Sequence, residues 1–71
     1  MPKDDYYKAK AFVVALLSDA DGNTRTSAYL VDALMSEFPD VYPTEALYFL
    51  WDLAYEGYIT ESPDCRSFSC A

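Results

Sequence analysis

The chain has no histidine, only two cysteines, and no apolar run longer than that of residues 11–17. Without histidine it lacks the commonest general base of enzymes, and it cannot supply the four Cys or His ligands of a structural zinc site. A spanning helix needs roughly 20 apolar residues. We therefore expect neither an enzyme nor a membrane protein, and no metal or other cofactor.

Basic residues are also scarce, and residues 26–65 contain none. Residues 1–25 carry four bases and four acids, which sum to zero, whereas residues 26–71 carry one base against eight acids and so hold the whole net charge of −7. Affinity for nucleic acid depends largely on Lys and Arg displacing counterions from phosphates. The charge distribution therefore predicts against direct binding of nucleic acid.

The N-terminal segment, MPKDDYYKAK, is charged and does not resemble a secretory signal. A cytoplasmic location is the default expectation, and it favours free thiols at Cys65 and Cys70. A small loop disulfide, or one between two chains in an oxidised preparation, is the alternative.

Apolar residues, in contrast, are abundant. They make up 52% of the 71 residues, and 17% of the chain is aromatic, which excludes a disordered segment. The chain therefore reads as a single domain, residues 1–71. Its seven Tyr, four Phe and one Trp are more rings than so small a domain easily buries. Some rings should be exposed, and exposed rings in clusters indicate a partner or a homodimer.

The first half of the chain predicts two helices. The first should start at Asp4 or Asp5, which can cap it, and run to about Ser18. Its expected core stripe is Tyr7, Ala11, Val14 and Leu17. Residues 18–24 read as a turn, followed by a very short strand at residues 24–26. Ser27 is the expected cap of the second helix, which Pro39 ends. The buried stripe of that helix is Leu30, Ala33, Leu34 and Phe38.

A third helix should begin with Pro43 at its first position and end at Gly57, whose place suits a C-terminal cap. Ala46, Leu50 and Leu53 form its core stripe. The remaining residues suit a hairpin around residues 62–65. If Pro63 and Asp64 form a two-residue loop, Ile59 lies opposite Phe68 and Glu61 opposite Arg66.

This order of elements resembles the winged helix-turn-helix family, and the specific part of the resemblance is Leu50, Leu53, Gly57, Tyr58 and Ile59. The resemblance implies a mainly α fold, a three-helix winged-helix-like domain with a short C-terminal β-hairpin. In that family the third helix normally offers Arg and Lys to DNA. Here the positions that would contact DNA are mostly unsuited to phosphates or base edges. The resemblance therefore implies the fold of the family but not its binding of DNA.

The outward surface of the third helix carries acids and rings instead. The candidate protein-binding residues are Glu45, Tyr48, Trp51, Asp52, Tyr55 and Glu56. Tyr48, Trp51 and Tyr55 are spaced i, i+3, i+7 and therefore share one side of a helix. Tyr and Trp anchor many protein interfaces. The alternative is that Trp51 packs under the hairpin while the tyrosines border the core.

Two other patterns favour plain structural interpretations. Residues 19–23, DADGN, resemble the start of a calcium-binding loop, but Thr24 replaces its glycine and Leu30 its bidentate glutamate. Asp52 and Glu56, at i and i+4, are the charged surface of a helix more often than a catalytic pair.

Three functions remain open. The first is a small acidic interaction module, of a kind that viruses or mobile elements encode, which binds and inhibits or modulates a larger basic-surfaced protein, in one version by mimicking nucleic acid. The second is a transcription regulator that binds DNA as a dimer through Lys3, Lys8, Lys10 and Arg25. The third is a homo-oligomeric structural or assembly protein.

Overall fold

The computed structural model describes residues 3–71 and contains three helices and a small antiparallel sheet. The helices are α1 (Lys3–Asp19), α2 (Ser27–Glu37) and α3 (Pro43–Tyr55), and the strands are β1 (Thr24–Thr26), β2 (Ile59–Glu61) and β3 (Ser67–Cys70). A short 3-10 turn, Asp21–Asn23, joins α1 to β1. Met1 and Pro2, where the predicted domain begins, lie outside the described residues. The predicted mainly α fold with three helices and a C-terminal hairpin is confirmed.

The sheet has β3 at its centre, with β1 and β2 as its two edges. Both edge strands run antiparallel to β3, and Arg25 of β1 lies opposite Phe68. The predicted short strand before α2 therefore exists, and it ties the segment between α1 and α2 to the end of the chain.

The predicted hairpin register is wrong by two residues. Ile59 pairs with Cys70 rather than Phe68, and Glu61 pairs with Phe68 rather than Arg66. A two-residue loop needs positive φ at its first position, which proline cannot adopt. Instead the Cys65 N–H donates to the Ser62 carbonyl at 2.9 Å, and Cys65 itself takes a φ of 60°. The loop is therefore longer, and because the shift is even, each strand residue keeps its predicted face.

One cluster of buried residues forms the core, and α3 contributes the most to it. Its members are Ala9, Val13, Leu17, Leu30, Leu34, Val41, Ala46, Phe49, Leu50, Leu53, Ile59 and Phe68. The predicted α3 stripe is confirmed, with Phe49 in addition. In the α2 stripe Leu30 and Leu34 are buried, while Ala33 and Phe38 are half-buried.

The predicted stripe of α1 is largely wrong. Of its four residues only Leu17 is buried, whereas Tyr7, Ala11 and Val14 are exposed. Ala9 and Val13, two turns and one turn before Leu17, are the residues that pack inside. Residues 11–17 are all apolar, so the sequence pattern did not distinguish one face from its neighbour.

Within the described residues, no helix has the length and apolar character needed to cross a membrane.

Two helix starts differ in detail from the prediction. The N-cap of α2 is Thr26, whose hydroxyl accepts the Tyr29 N–H at 3.1 Å. Ser27 is instead the first helical residue, and its hydroxyl is buried with no hydrogen-bond partner among the residues that the structure describes. Asp4 and Asp5 lie inside the first turn of α1 rather than before it, where their charge still complements the helix dipole.

Gly57 ends α3 as predicted, because its φ of 87° is a left-handed conformation that favours glycine. The Gly57 N–H donates to the Ala54 carbonyl at 3.1 Å, and the Tyr58 N–H donates to the Leu53 carbonyl at 3.0 Å. This pair of bonds is the Schellman arrangement. It turns the chain directly from α3 into β2, which places the hairpin beside the outer surface of α3.

Candidate interaction face

The six residues that the sequence nominates as a binding site lie on the outer surface of α3 and, for Glu56, at its C-cap. We call these residues the α3 face: Glu45, Tyr48, Trp51, Asp52, Tyr55 and Glu56. Tyr48 is 65% exposed, Trp51 43% and Tyr55 89%. The three rings are therefore not buried together inside the domain, as they would be if they served the core alone.

The α3 face consists of two rows rather than one mixed patch. At 100° per residue, the aromatic positions lie together on one side of the helix surface and the acidic positions on the other. The contacts agree with this division. Asp52, in the acidic row, accepts a hydrogen bond from α1, whereas Trp51, in the aromatic row, donates one to β2. The acids therefore border α1, and the rings border the hairpin.

Trp51 is held in place on two sides. Its indole Nε1 donates to the Glu61 carboxylate at 3.0 Å, and its ring meets the Tyr48 ring edge to face at a centroid distance of 5.5 Å. The hydrogen bond to Glu61 ties the indole of Trp51 to β2, but the side chain stays exposed rather than packed under the hairpin. The result is a fixed ring that still presents about two fifths of its surface.

Tyr6 of α1 connects the acidic row to the core. Its hydroxyl donates to the Asp52 carboxylate at 3.1 Å, while its ring packs edge to face on the buried Phe49 at 5.2 Å. Partial burial raises the pKa of the Tyr6 hydroxyl, and the hydrogen bond to Asp52 and the negative charges of Asp52 and Glu56 raise it further. Tyr6 therefore stays neutral at physiological pH and fixes one carboxylate of the acidic row.

The bases of the first 25 residues are partly engaged with rings. Lys10 Nζ lies 4.1 Å from the centroid of Tyr58. Arg25 lies 4.3 Å from the centroid of Tyr29, and its Nε donates to the Leu16 carbonyl at 3.0 Å. These contacts direct two of the four bases toward aromatic rings, so they are less available to a phosphate backbone.

The hairpin loop is ordered by Asp64. Its carboxylate accepts hydrogen bonds from the Ser62 hydroxyl and from the Arg66 N–H, and these bonds hold the pKa of Asp64 below its usual value. Both cysteines are free thiols, with Cys65 exposed in this loop and Cys70 half-buried in β3. Among residues 3–71, no three His, Cys, Asp or Glu side chains form a group that could hold a metal ion.

Sequence reasoning missed three residues that shape the site: Tyr6, Tyr58 and Glu61. Tyr6 had a signal, because it precedes Ala9 and Val13 at i, i+3, i+7 spacing and so shares their face. Glu61 and Tyr58 had none, since their contacts with Trp51 and Lys10 depend on where the hairpin and α1 lie in the fold.

No protein-family model, curated protein or solved structure matches this chain. Membership of the winged helix-turn-helix family therefore stays a prediction from the residues that carry the resemblance. The function has likewise to be inferred from the chain itself.

Proposed function

We propose that this chain is a small, non-enzymatic protein-interaction module whose α3 face binds a larger protein with a basic surface and inhibits or modulates it. The observation that carries the proposal is the exposure of Tyr48, Trp51 and Tyr55 beside three carboxylates, in a segment without Lys or Arg. A cytoplasmic location, a viral or mobile-element origin and competition with nucleic acid for the partner belong to the same proposal.

The rings supply the attachment. Tyr and Trp combine a large apolar area with a polar tip, and they are enriched among the residues that dominate binding energy at interfaces. Trp51 is already fixed by Glu61 and Tyr48, so a partner loses little additional side-chain entropy when it covers this ring. Tyr55, with 89% of its surface exposed, has the most area to bury.

The acids supply selectivity. Asp52 and Glu56 lie beside the rings, and residues 26–65 contain no base to offset them. Such a surface attracts a basic partner and repels acidic ones, which raises the association rate and the discrimination between partners more than the affinity. Because the attraction acts through solvent, it should weaken as salt is added.

Paired substitutions test the proposal in quantitative affinity capture from the native cell. Tyr55→Ala and Glu56→Lys should each reduce recovery of a defined partner protein at least about fivefold, which corresponds to about 1 kcal/mol. Tyr42→Ala and Glu37→Lys are the controls. Tyr42 is 74% exposed but lies outside the α3 face, and Glu37 is the last residue of α2, in a place comparable to Glu56 at the C-cap of α3. Equal recovery by test and control variants would refute the proposal.

The two alternatives are outcomes of further measurements. A retarded DNA band at low salt and micromolar protein, lost on Lys3→Glu or Lys8→Glu, would support a transcription regulator instead. Concentration-dependent sedimentation, abolished by Tyr55→Ala but not by Tyr42→Ala, would show that the α3 face binds a second copy of the chain.

A further inference from the structure

A groove runs beside the aromatic row, between the end of α3 and the first strand of the hairpin. It has a volume of about 510 Å³ and is lined by Trp51 and Tyr55, by Gly57, and by all three residues of β2. Nothing lies within 4 Å of the position that a Cβ at Gly57 would take. The groove is therefore open to a partner over the turn that links α3 to β2.

One wall of the groove is an open sheet edge. Among residues 3–71, β2 pairs only with β3, so its other side has no strand beside it. The Ser62 N–H donates to the Ser67 carbonyl at 2.9 Å, which marks this pair as hydrogen-bonded. Bonded and non-bonded pairs alternate along an antiparallel ladder, so the main-chain groups of Ile59 and Glu61 point away from β3. An extended peptide can bind such an edge as an additional strand.

The side chains that line the groove favour a positive charge. Glu61, on β2, is the one carboxylate among the residues that line the groove, and the Trp51 indole N–H occupies one of its several acceptor positions. Trp51 and Tyr55 add two aromatic rings. Carboxylate and ring faces together suit arginine better than lysine, because the planar guanidinium stacks on rings and forms two parallel hydrogen bonds to a carboxylate.

We propose that the groove binds an extended segment of the partner along β2 and receives an arginine side chain from it, against Trp51, Tyr55 and Glu61. The proposal rests on the proposed function and specifies it: the basic partner presents an arginine-bearing strand at this end of the α3 face. The minimal peptide should bind weakly, with a Kd of roughly 1 mM, because the outward main-chain groups of two residues and one side chain make a small interface.

The test uses the intact protein and blocked five-residue peptides with a central arginine. Trp51 is the only tryptophan, so one indole N–H resonance and one fluorophore report on the groove. The arginine peptide should shift the Trp51 indole resonance and the amides of β2, leaving those of α2 unchanged. Citrulline in place of arginine keeps the shape and removes the charge, and it should weaken binding by about two- to fivefold.

Matched variants assign the effect to Glu61. Glu61→Gln keeps an acceptor for the indole N–H but removes the charge, and it should weaken the arginine peptide by the same two- to fivefold. Glu37→Gln removes the same charge at the end of α2 and should change nothing. Methylation of the peptide's backbone nitrogens should also weaken binding, since an added strand needs those donors.

Equal binding of arginine and citrulline peptides, equal binding by the two glutamine variants, indifference to backbone methylation, or no binding at millimolar peptide would each overturn the groove proposal. The proposed function fails separately. If Glu56→Lys still lowered recovery of the cellular partner while the peptides failed, the α3 face would bind its partner by another arrangement. If both failed, neither proposal would stand.

Discussion

The buried and exposed sides of α3 both carry large apolar or aromatic residues, yet the chain covers only one of them. Ala46, Phe49, Leu50 and Leu53 lie in the core, whereas Tyr48 and Tyr55 are mostly open to solvent. A domain of 71 residues has too little other chain to enclose both sides. Hydrophobicity alone therefore does not distinguish the buried from the exposed side of a helix this apolar, and the polar tips of Tyr and Trp mark the side that can remain exposed.

The largest expected effect comes from removing a buried residue of α3. Leu50→Ala should lower the free energy of unfolding by about 2–5 kcal/mol, because it removes packed methyl groups and leaves a cavity. A domain this small has only about 3–5 kcal/mol in total, so the variant should be substantially unfolded at room temperature. Tyr55→Ala should change the unfolding free energy by less than about 0.5 kcal/mol. Urea unfolding followed by circular dichroism measures both, and similar losses would contradict the division of α3 into two sides.

The next effect concerns Gly57, where α3 ends and the chain turns into β2. Gly57→Ala should destabilise the domain by about 1–2 kcal/mol, because a φ of 87° is strained for a residue with a Cβ. A Cβ at position 57 would meet no other residue within 4 Å, so steric clashes should add nothing to this loss of stability. Asparagine tolerates left-handed conformations better, so Gly57→Asn should cost less than Gly57→Ala. Thermal unfolding checks this order, and a reversed order would disprove the conformational explanation.

A smaller effect compares two hydroxyls at the start of α2, the capping hydroxyl of Thr26 and the buried hydroxyl of Ser27. Thr26→Ala should cost about 1 kcal/mol, because it removes the acceptor of the Tyr29 N–H. Ser27→Ala should be neutral or stabilising, because the Ser27 hydroxyl is buried and no group within residues 3–71 forms a hydrogen bond with it. Chemical denaturation of both variants distinguishes them. A loss at Ser27 equal to that at Thr26 would restore Ser27 as the cap that the sequence predicts.

The smallest effect concerns Tyr6, which contacts both sides of α3 through Phe49 and Asp52. Its pKa is raised above the ordinary 10.0 by burial first and by Asp52 second. The stabilisation is therefore fully present below about pH 10 and is lost as the pH rises through the folded-state pKa. The stability advantage of the wild type over Tyr6→Phe should shrink as the pH rises above the ordinary tyrosine value of 10.0 and through the raised pKa of Tyr6.

Asp52→Asn provides the control for that titration. It removes the negative charge beside the hydroxyl but leaves the ring's burial unchanged, so the loss at high pH should become weaker without disappearing. A constant difference between the wild type and Tyr6→Phe across the whole range would contradict the raised pKa.

Local signals predicted α3 and its two ends. Leu50 and Leu53 repeat at helical spacing, proline can start a helix, and only a residue tolerant of positive φ suits the position of Gly57. Where such signals were ambiguous, the predictions failed. Tyr6 and Tyr7 are adjacent aromatic residues, and the sequence pattern did not decide which of them faces the core. The loop geometry at Cys65 depends on a left-handed φ, which a cysteine in the sequence does not predict.

The candidate site could be predicted only in outline. An excess of rings and a lack of bases indicated that part of α3 would be exposed, acidic and aromatic. The hydrogen bonds that order it join Trp51 to Glu61 and Tyr6 to Asp52, and the second pair is separated by 46 residues. Such contacts depend on the packing of α1 and β2 against α3, which no local spacing encodes. The binding role of the α3 face stays a prediction.

Site-specific photo-cross-linking in the native cell tests the central claim most directly. A photoreactive phenylalanine analogue replaces Tyr55 on the α3 face in one sample and Tyr42 outside it in the other. The account predicts a defined cross-linked protein partner from position 55, absent or much weaker from position 42. Cross-links from position 55 only to nucleic acid or to a second copy of the chain, or the same partner with equal yield from both positions, would contradict it.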